Sequence, residues 1–171
     1  FKWAYAVTFL ESFVICFARF GLTVIDFSQD LRGGNMTTSS IKANIRRDIQ
    51  KVWETILAVE NYHTWRSDVD RIEVIDEKRF ITYTGDGYFT TFTVTVAEPF
   101  ERWELDVENS DIKGHWAVVL ASRGGETEIN FTASAAAKKL LTRPIGKSVF
   151  EKVYLDKEQT QFIVDLKKVL G

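Results

Sequence analysis

The sequence has few of the residues that build disulfides and metal centres. It contains one cysteine, Cys16, and two histidines, His63 and His115, in 171 residues. A single cysteine excludes a disulfide within the chain and a zinc site of the multi-cysteine type, and two histidines leave little for a histidine-rich metal centre. We therefore expect no metal, no cofactor and a location in the reducing environment of the cytoplasm.

The sequence also lacks an excess of positive charge and the common nucleotide and hydrolase motifs. Lysine and arginine total 22 against 24 acidic residues, so no general field attracts nucleic acid. Walker, dinucleotide-binding, zinc-protease and serine-hydrolase signatures are all missing. The hydrophobic share of 45% and the charged share of 27% are typical of a globular domain. We expect no nucleic-acid partner.

The first 35 residues contain no apolar run long enough to cross a membrane. Glu11 and Arg19 interrupt the run before about 18 apolar residues accumulate. Phenylalanines three or four positions apart indicate instead an amphipathic helix that could lie on a membrane, a partner or the domain itself. Alternatively the protein begins at Met36, because the Arg-Gly-Gly codons just before it can spell a ribosome-binding site. We expect one domain over 36–171, and membrane contact only if residues 1–35 are native.

From residue 37 onward the hydrophobic period predicts one strand, two helices and then six strands. Ile41 and Ile45 lie in a run that alternates with polar residues, as in a half-buried strand. The apolar spacing after Asp48 predicts an amphipathic helix over 48–58. The next helix is short, and six runs of period two follow, with Gly-Asp-Gly at 85–87 marking a hairpin.

A long helical pattern closes the chain. Pro144 suits its first turn, and its apolar stripe includes Val153, Phe162 and Val169. The predicted order is β-α-α-β6-α, a curved antiparallel sheet with segregated helices. The fold class is therefore α+β.

Five stretches of the sequence carry a resemblance to a known superfamily. They are IRRDIQKVWE at Ile45–Glu54, VENYHTW at Val59–Trp65, VTVAEPFERWE at Val94–Glu104, GHW at Gly114–Trp116, and DLKKVL at Asp165–Leu170. Together with the element order they resemble the START-like helix-grip (SRPBCC) superfamily. Within it the chain is most similar to the bacterial polyketide cyclase/dehydrase-like and coenzyme Q-binding-like group. The resemblance spans roughly residues 38–171.

The resemblance implies a sheet that wraps the C-terminal helix and leaves an apolar cavity between them. Members of the superfamily bind lipids, sterols, quinones or polyketides, and some are cyclases. Aromatic side chains on the predicted inner faces are the expected lining of this cavity. The ligand-binding residues that we expect are Trp65, Tyr83, Tyr88, Phe92, Trp116 and Tyr154.

Few residues point to catalysis, and His63 and Arg66 are the weak candidates. His63 can act as an acid or a base near neutral pH, but it also fits a surface histidine packed on aromatic rings. Arg66 alternates with Asp68 and Asp70 in an extended segment, which is equally typical of an ion-pair set on the surface. His115 should point away from the core, opposite Trp116.

Three functions remain open from the sequence. The first is the binding or transport of an apolar or amphipathic small molecule, such as a lipid, a quinone or a polyketide-like compound. The second is a polyketide cyclase or dehydratase, which would require a buried polar group in the cavity. The third is a protein-interaction module, which would have a filled core and a large exposed apolar patch.

Overall fold

The computed structural model describes residues 23–24, 36–138 and 147–171, and for residues 23–24 and 147–150 it describes the backbone alone. Of the helix expected within residues 1–35, the structure describes Thr23–Val24 alone, and these two residues form a strand, so the helix prediction is wrong there. The rest of that segment, Cys16 and the helix start expected at Pro144 lie outside the described residues.

From Thr37 onward the elements follow the order that the sequence predicts. A further two-residue strand precedes them, in a segment where the phenylalanine spacing predicts a helix. The strands are β1 (Thr23–Val24), β2 (Thr37–Ile45), β3 (Arg71–Val74), β4 (Arg79–Tyr83), β5 (Phe89–Glu98), β6 (Arg102–Glu108), β7 (Ile112–Arg123) and β8 (Glu126–Ala137). The helices are α1 (Ile49–Leu57), a 3-10 turn (Val59–Asn61), α2 (Tyr62–Trp65) and α3 (Lys147–Leu170).

All described strands form one antiparallel sheet in the order β1-β2-β8-β7-β6-β5-β4-β3. The sheet is curved and stays open, which confirms the predicted α+β helix-grip class. Alternate residues of the central strands form the inner face, for example Trp103, Leu105 and Val107 of β6, each at most 2% exposed. The outer face is polar, so the alternation in the sequence matches the two environments of the sheet.

Helix α1 forms where the sequence predicts it. The Asp48 carboxylate accepts a hydrogen bond from the backbone N–H of Lys51 at 3.0 Å, which caps the first turn. Val52, Trp53 and Ile56 face the interior, and the helix packs against β7 and β8. The observed span is one residue shorter at each end than the predicted one.

Helix α3 packs against β2 and β8 and supplies Leu155, Phe162 and Leu166 to the core. Val153 and Val169 do not belong to the buried stripe, because they are 61% and 47% exposed. A straight helix buries only one face against a sheet, and these two valines lie outside that face.

Polar residues of α3 occupy part of the buried face. The Glu151 carboxylate accepts hydrogen bonds from the Thr37 hydroxyl and from the backbone N–H of Ala137, both at 2.6 Å. The Gln159 amide donates to the carbonyl oxygens of Ser39 at 3.1 Å and Phe131 at 2.8 Å. These bonds fix the axial position of the helix on β2 and β8, since a slide along the helix axis would break them.

Candidate functional site

A cavity of ≈ 490 Å³ lies beside α3, between the helix, strands β4 and β5, and the segment that follows α2. The helix contributes Tyr154, Lys157, Glu158 and Gln161. These positions are separated by three or four residues along α3, so they share one helix face. That face is adjacent to the one that packs on the sheet, and the cavity therefore opens where α3 leaves the sheet.

The strands contribute the apolar part of the wall. Tyr88 immediately precedes β5, and Thr90 and Phe92 follow at alternate positions, so all three side chains point to one face. Phe92 is 3% exposed and stacks on Phe80, with ring centroids 5.0 Å apart and planes 8° apart. Because this stacking continues into the core, Phe92 forms a rigid apolar surface at the bottom of the site.

Arg66 lines the same cavity and is 4% exposed. Its Nε and Nη2 donate to the two carboxylate oxygens of Asp68, at 3.0 and 2.5 Å. The guanidinium carbon lies 5.5 Å from the ring centroids of Tyr62 and Phe162 and 6.0 Å from that of Trp116. The arginine is thus held by one carboxylate and by three aromatic rings.

This burial corrects the interpretation of Arg66 as part of a surface ion-pair set. Asp70, two residues beyond Asp68, is exposed, so the alternating residues do not share one environment. One of the three rings that cover Arg66 is local, that of Tyr62, four residues earlier. The other two come from Trp116 and Phe162, about 50 and 100 residues away in the sequence, and no local pattern indicates these contacts.

The segment that carries Arg66 is fixed to α3 by hydrogen bonds. The Asp165 carboxylate accepts from the backbone N–H of Ser67 at 2.7 Å and from its hydroxyl at 2.8 Å. The Gln161 amide donates to the same hydroxyl at 2.7 Å. Arg66 therefore keeps a defined position relative to the helix that forms the opposite wall.

Burial changes the proton affinities of the groups around the cavity. Burial raises the pKa of the Glu158 carboxyl, although the charge of Arg66 opposes the rise. Burial also raises the pKa of the Tyr154 hydroxyl, with a smaller contribution from Glu158. For Arg66 burial lowers the pKa, but the charge and hydrogen bonds of Asp68 more than compensate, so the pKa lies above its ordinary value and the guanidinium stays charged.

Two further polar contacts orient the tyrosines of the wall. The Tyr88 hydroxyl donates to the Asp111 carboxylate at 2.8 Å. The Asn109 amide lies 3.3 Å from the Thr90 hydroxyl and 3.5 Å from the Tyr154 hydroxyl, and donates to both. The site therefore combines an apolar floor with hydroxyls that are already positioned.

Of the six aromatic residues expected to line a cavity, Tyr88, Phe92 and Tyr154 lie on its wall. Trp65 instead packs against Tyr62 and Phe162, with ring centroids 5.1 and 5.7 Å away.

The remaining two expected residues also lie away from the cavity wall. Trp116 is 2% exposed and fills the core between Phe92 and Phe131. Tyr83 follows the buried Thr82 in β4 and so points to the opposite face, where its hydroxyl donates to Glu73 at 2.9 Å. Tyr83 lies three positions after the buried Phe80, and an odd separation along a strand places two side chains on opposite faces of the sheet.

The two histidines lie outside the cavity. His63 is exposed and its Nδ1 lies 3.0 Å from the carbonyl oxygen of Glu60, beside a shallow pocket of ≈ 200 Å³. His115 lies on the outer face of the sheet, between the carboxylates of Asp106 at 2.8 Å and Glu104 at 3.3 Å, as the alternation with Trp116 predicts. Neither geometry provides a proton-transfer group at the cavity.

Several residues of the cavity wall were not among those expected from the sequence. Glu158 and Gln161 follow Tyr154 at helical spacing, and Thr90 lies between Tyr88 and Phe92 on the same strand face. Extending the periodicity from the expected aromatic residues would have found all three.

Within the residues that the structure describes, no group of three or more histidine, cysteine, aspartate or glutamate side chains is arranged to hold a metal ion. Among the same residues, no helix has both the length and the apolar character needed to cross a membrane.

Comparison with solved structures finds the same fold in several proteins. A START superfamily protein from Mycobacterium smegmatis superposes with a TM-score of 0.66 at 9% identity, covering 80% of this chain and 97% of that one. A conserved protein from Geobacillus kaustophilus gives 0.66 at 16% identity, covering 78% and 94%. The Zhui aromatase/cyclase from Streptomyces sp. R1128 gives 0.64 at 13% identity, covering 80% and 93%. At these low sequence identities the superpositions show a shared fold and do not show a shared function.

Sequence comparisons identify the family. A search of functionally curated proteins finds no match. The family model described as polyketide cyclase / dehydrase and lipid transport matches residues 36–171, which include β2 to β8 and all the described helices. The chain therefore belongs to the polyketide cyclase/dehydrase and lipid transport family.

Proposed function

We propose that this protein binds an apolar or amphipathic small molecule in the cavity beside α3 and releases it chemically unchanged. The observation that carries the proposal is the cavity itself, ≈ 490 Å³ in volume with Phe92 on its floor. Ligand sites of proteins are concave and mostly apolar, with volumes of roughly 300–1,000 Å³. The cavity lies within that range. Phe92, Tyr88 and Tyr154 supply aromatic surface, and most of the other lining residues are polar or charged, which suits an amphipathic molecule.

Most of the binding free energy would come from apolar surface. Each Å² of apolar area removed from water contributes roughly 25 cal/mol, before the cost of ordering the ligand is subtracted. The half-buried rings of Tyr88 and Tyr154 and the apolar surface of the ligand supply most of that area, because Phe92 is only 3% exposed. Thr90 and Arg66 supply polar atoms that can set the orientation of the ligand.

An enzymatic role is the second candidate, and one observation favours it. Glu158 and Arg66 line the same cavity, and burial favours the protonated form of Glu158. A carboxyl group whose pKa is raised above its ordinary value is a better general acid near neutral pH than an ordinary glutamate. In that case the cavity would hold a reactive chain while Glu158 donates a proton, as in a cyclization or dehydration.

The interaction-module alternative has less support. It requires a filled core, whereas the described residues surround a cavity. The exposed apolar side chains include Phe89, Phe100 and Val153, and these belong to three different elements or turns.

The test is native mass spectrometry of the full chain, with any released small molecule identified after denaturation. A matched pair of variants links binding to the cavity: Thr90→Trp adds bulk inside it, whereas Thr91→Trp adds the same bulk on the other face of β5. We expect a stoichiometric adduct in the unmodified protein and in Thr91→Trp, and its loss in Thr90→Trp.

The fate of the recovered molecule separates the two candidate functions. If the molecule remains unchanged after prolonged incubation with the protein, the binding function is supported. Conversion of the molecule to a product would favour the enzyme. A mass without adduct, together with no thermal shift on adding lipids, quinones or polyketide-like compounds, would contradict both.

A further inference from the structure

Basic side chains gather where the C-terminal end of α3 meets the turn between β2 and α1. Arg46 and Arg47 lie in that turn, and Lys167 and Lys168 lie in the last turn of α3. Arg47 reaches the end of the helix, because a Cβ atom added to Gly171 would lie 3.2 Å from the Arg47 Nη2 atom. We call Arg46, Arg47, Lys167 and Lys168 the basic end of the domain.

The charges at the basic end are close enough to affect one another. Burial lowers the pKa of the Lys167 amine, and the positive charge of Arg46 lowers it further by a smaller amount. Lys51, in the first turn of α1, follows Arg47 by four positions and adds another cation. Neighbouring like charges repel each other, and the binding of an anion relieves that repulsion.

The two chain segments that form the basic end contain few carboxylates. Asp48 and Asp165 are the acidic residues of the ranges 45–52 and 164–171. The Asp48 carboxylate caps α1, and Asp165 is 4% exposed and accepts hydrogen bonds from the segment after α2. Both carboxylates therefore serve the fold, and the positive charge at this end is in excess.

Most other cations of the described residues have a carboxylate partner. The ion pairs among these residues involve Lys42, Arg66, Arg71, Arg79, Arg102, Arg123 and Lys138. In the same part of the chain no ion pair involves Arg46, Arg47, Lys51 or Lys168. These four side chains are exposed, so they are accessible to an external anion.

The surroundings of the basic end favour a lipid surface as the source of that anion. Val169 directly follows the two lysines and is 47% exposed, and basic residues next to exposed apolar ones are typical of surfaces that lie on anionic lipid. A bilayer presents its charge over a wide area, so it contacts cations of both segments at once. Lys168 lies on the same face of α3 as Gln161 of the cavity wall and about 10 Å further along the helix. A bilayer at the basic end would therefore lie near the cavity.

We propose that the basic end, together with Lys51, docks on the anionic headgroups of a lipid bilayer. The docking is electrostatic and reversible, and each basic residue near an anionic surface strengthens it roughly fivefold. The sequence leads us to expect membrane contact only through residues 1–35, whereas this surface belongs to the family domain itself. The inference goes beyond the proposed function and does not require a ligand in the cavity.

Co-sedimentation of the full chain with lipid vesicles tests the inference. We expect binding to vesicles of phosphatidylcholine with about one third phosphatidylglycerol, and binding at least about tenfold weaker to phosphatidylcholine alone. Raising the NaCl concentration from about 0.1 M to about 0.5 M should release the protein, because salt screens exposed charges.

A matched pair of double variants locates the docking surface. Arg46→Glu with Lys168→Glu reverses two charges at the basic end. Lys78→Glu with Lys113→Glu reverses two exposed lysines elsewhere, beside the opposite edge strand β3 and in β7. The net charge changes equally in both. We expect binding to the anionic vesicles to weaken by at least about tenfold in the first double variant and to change much less in the second. Circular dichroism establishes that both variants fold.

Several results would overturn the inference. Absence of binding to the anionic vesicles would leave an acidic protein as the candidate partner of these cations. Equal binding to neutral vesicles would show an apolar contact instead of an electrostatic one. Equal weakening in the two double variants would show an effect of net charge without a local docking surface. These outcomes do not bear on the proposed binding function, which native mass spectrometry tests separately.

Discussion

The side chain of Tyr62 packs in the core and also forms a hydrogen bond with the backbone of α1. The residue is 1% exposed, its ring packs edge-on against Phe80 and Trp65, and its hydroxyl donates to the carbonyl oxygen of Ile56 at 2.6 Å. Burial raises the pKa of this hydroxyl. The charge of Arg66 lowers the pKa by a smaller amount, and that of Glu60 raises it slightly. The phenol therefore stays protonated and acts as a hydrogen-bond donor that ties α2 to α1.

The change Tyr62→Phe is expected to lower the free energy of unfolding by about 1–3 kcal/mol, because it leaves a buried carbonyl oxygen without its donor. The matched control is Tyr83→Phe, which removes a hydroxyl from an exposed hydrogen bond to Glu73 and should change stability by less than about 0.5 kcal/mol. Urea unfolding followed by tryptophan fluorescence measures both. Equal losses in the two variants would contradict the assignment.

Glu158 gives a pH-dependent prediction. Because burial raises the pKa of its carboxyl in the folded state, the folded protein binds this proton more tightly than the unfolded chain does. Stability therefore falls as the pH rises from the ordinary glutamate range through the raised pKa. Glu158→Gln, which stays neutral, should be more stable than the unmodified protein at about pH 8 and similar to it at about pH 4.

The prediction is checked by urea unfolding of both proteins at several pH values from about 4 to about 8, with the unfolding midpoints compared at each pH. Glu77→Gln makes the same substitution at a glutamate in the exposed turn between β3 and β4 and serves as the control. A Glu158→Gln variant that loses stability relative to the unmodified protein as the pH rises would show that ionized Glu158 stabilises the fold.

The site was less predictable from the sequence than the fold, and Arg66 shows why. An arginine two residues before an aspartate is typical of the protein surface, and only the tertiary contacts with Trp116 and Phe162 make it a buried cavity residue. By contrast, Tyr88 and Phe92 were predictable from strand alternation, because the inner face of β5 follows directly from the period of two.

At the scale of elements, α3 connects the central sheet to the segment that carries Arg66. Asp156 and Asp165 lie on this helix and accept hydrogen bonds from different partners: Asp156 from the Ser39 hydroxyl of β2 at 2.6 Å, and Asp165 from Ser67. The first bond holds the helix to the sheet, and the second positions the segment that forms the cavity wall. The two roles can be separated by experiment.

Asp165→Ala is expected to lower stability by about 1–3 kcal/mol, because the backbone N–H of Ser67 loses its acceptor. It should also weaken the binding of the molecule that native mass spectrometry recovers, since the segment with Arg66 and Ser67 on the cavity wall is no longer held relative to α3. Asp156→Ala removes a carboxylate from the same helix and should leave binding unchanged. Calorimetric titration of the folded variants measures the difference, and equal effects on binding would contradict a positioning role for Asp165.

The pairing of β7 with β8 depends on a glycine. A Cβ atom at Gly114 would lie 2.2 Å from the backbone carbonyl oxygen of Ser134, well inside van der Waals contact. Gly114→Ala should therefore lower stability by about 1–3 kcal/mol or more, because backbone on both strands must shift. Gly85→Ala, where no atom lies within 4 Å of the added Cβ, is the control and should be nearly neutral. Thermal unfolding of both variants measures the contrast.

Long strands with a regular alternation of apolar and polar residues were predictable from the sequence, and short strands were less so. Strands β6 and β8 alternate over seven and twelve residues, so their inner faces follow from the sequence. Strand β1 has two residues, too few for a period of two to appear, and it lies where the phenylalanine spacing predicts a helix. The misassigned Val153 has a different cause: the buried face of α3 includes Glu151 and Gln159, so hydrophobicity alone does not mark the helix face.

At the scale of the whole molecule, residues 36–171 contain the complete set of elements from β2 to α3. We expect a chain that starts at Met36 to fold, with a free energy of unfolding within about 1 kcal/mol of the full chain, because the described pairing that it loses spans two residues of β1. Circular dichroism and urea unfolding measure this. A non-cooperative transition would show that residues 1–35 are part of the folded core.

The strand part of the cavity wall lies away from the longest strands of the sheet. Strands β4 and β5, with five and ten residues, form it next to the four-residue edge strand β3, whereas the central pair β7 and β8 has twelve residues each. Mutations that reshape the β4–β5 loop therefore disturb few of the pairings on which folding depends. Such a division allows ligand preference to diverge during evolution while the scaffold is retained, and it makes the β4–β5 loop the first place to randomise when engineering a new specificity.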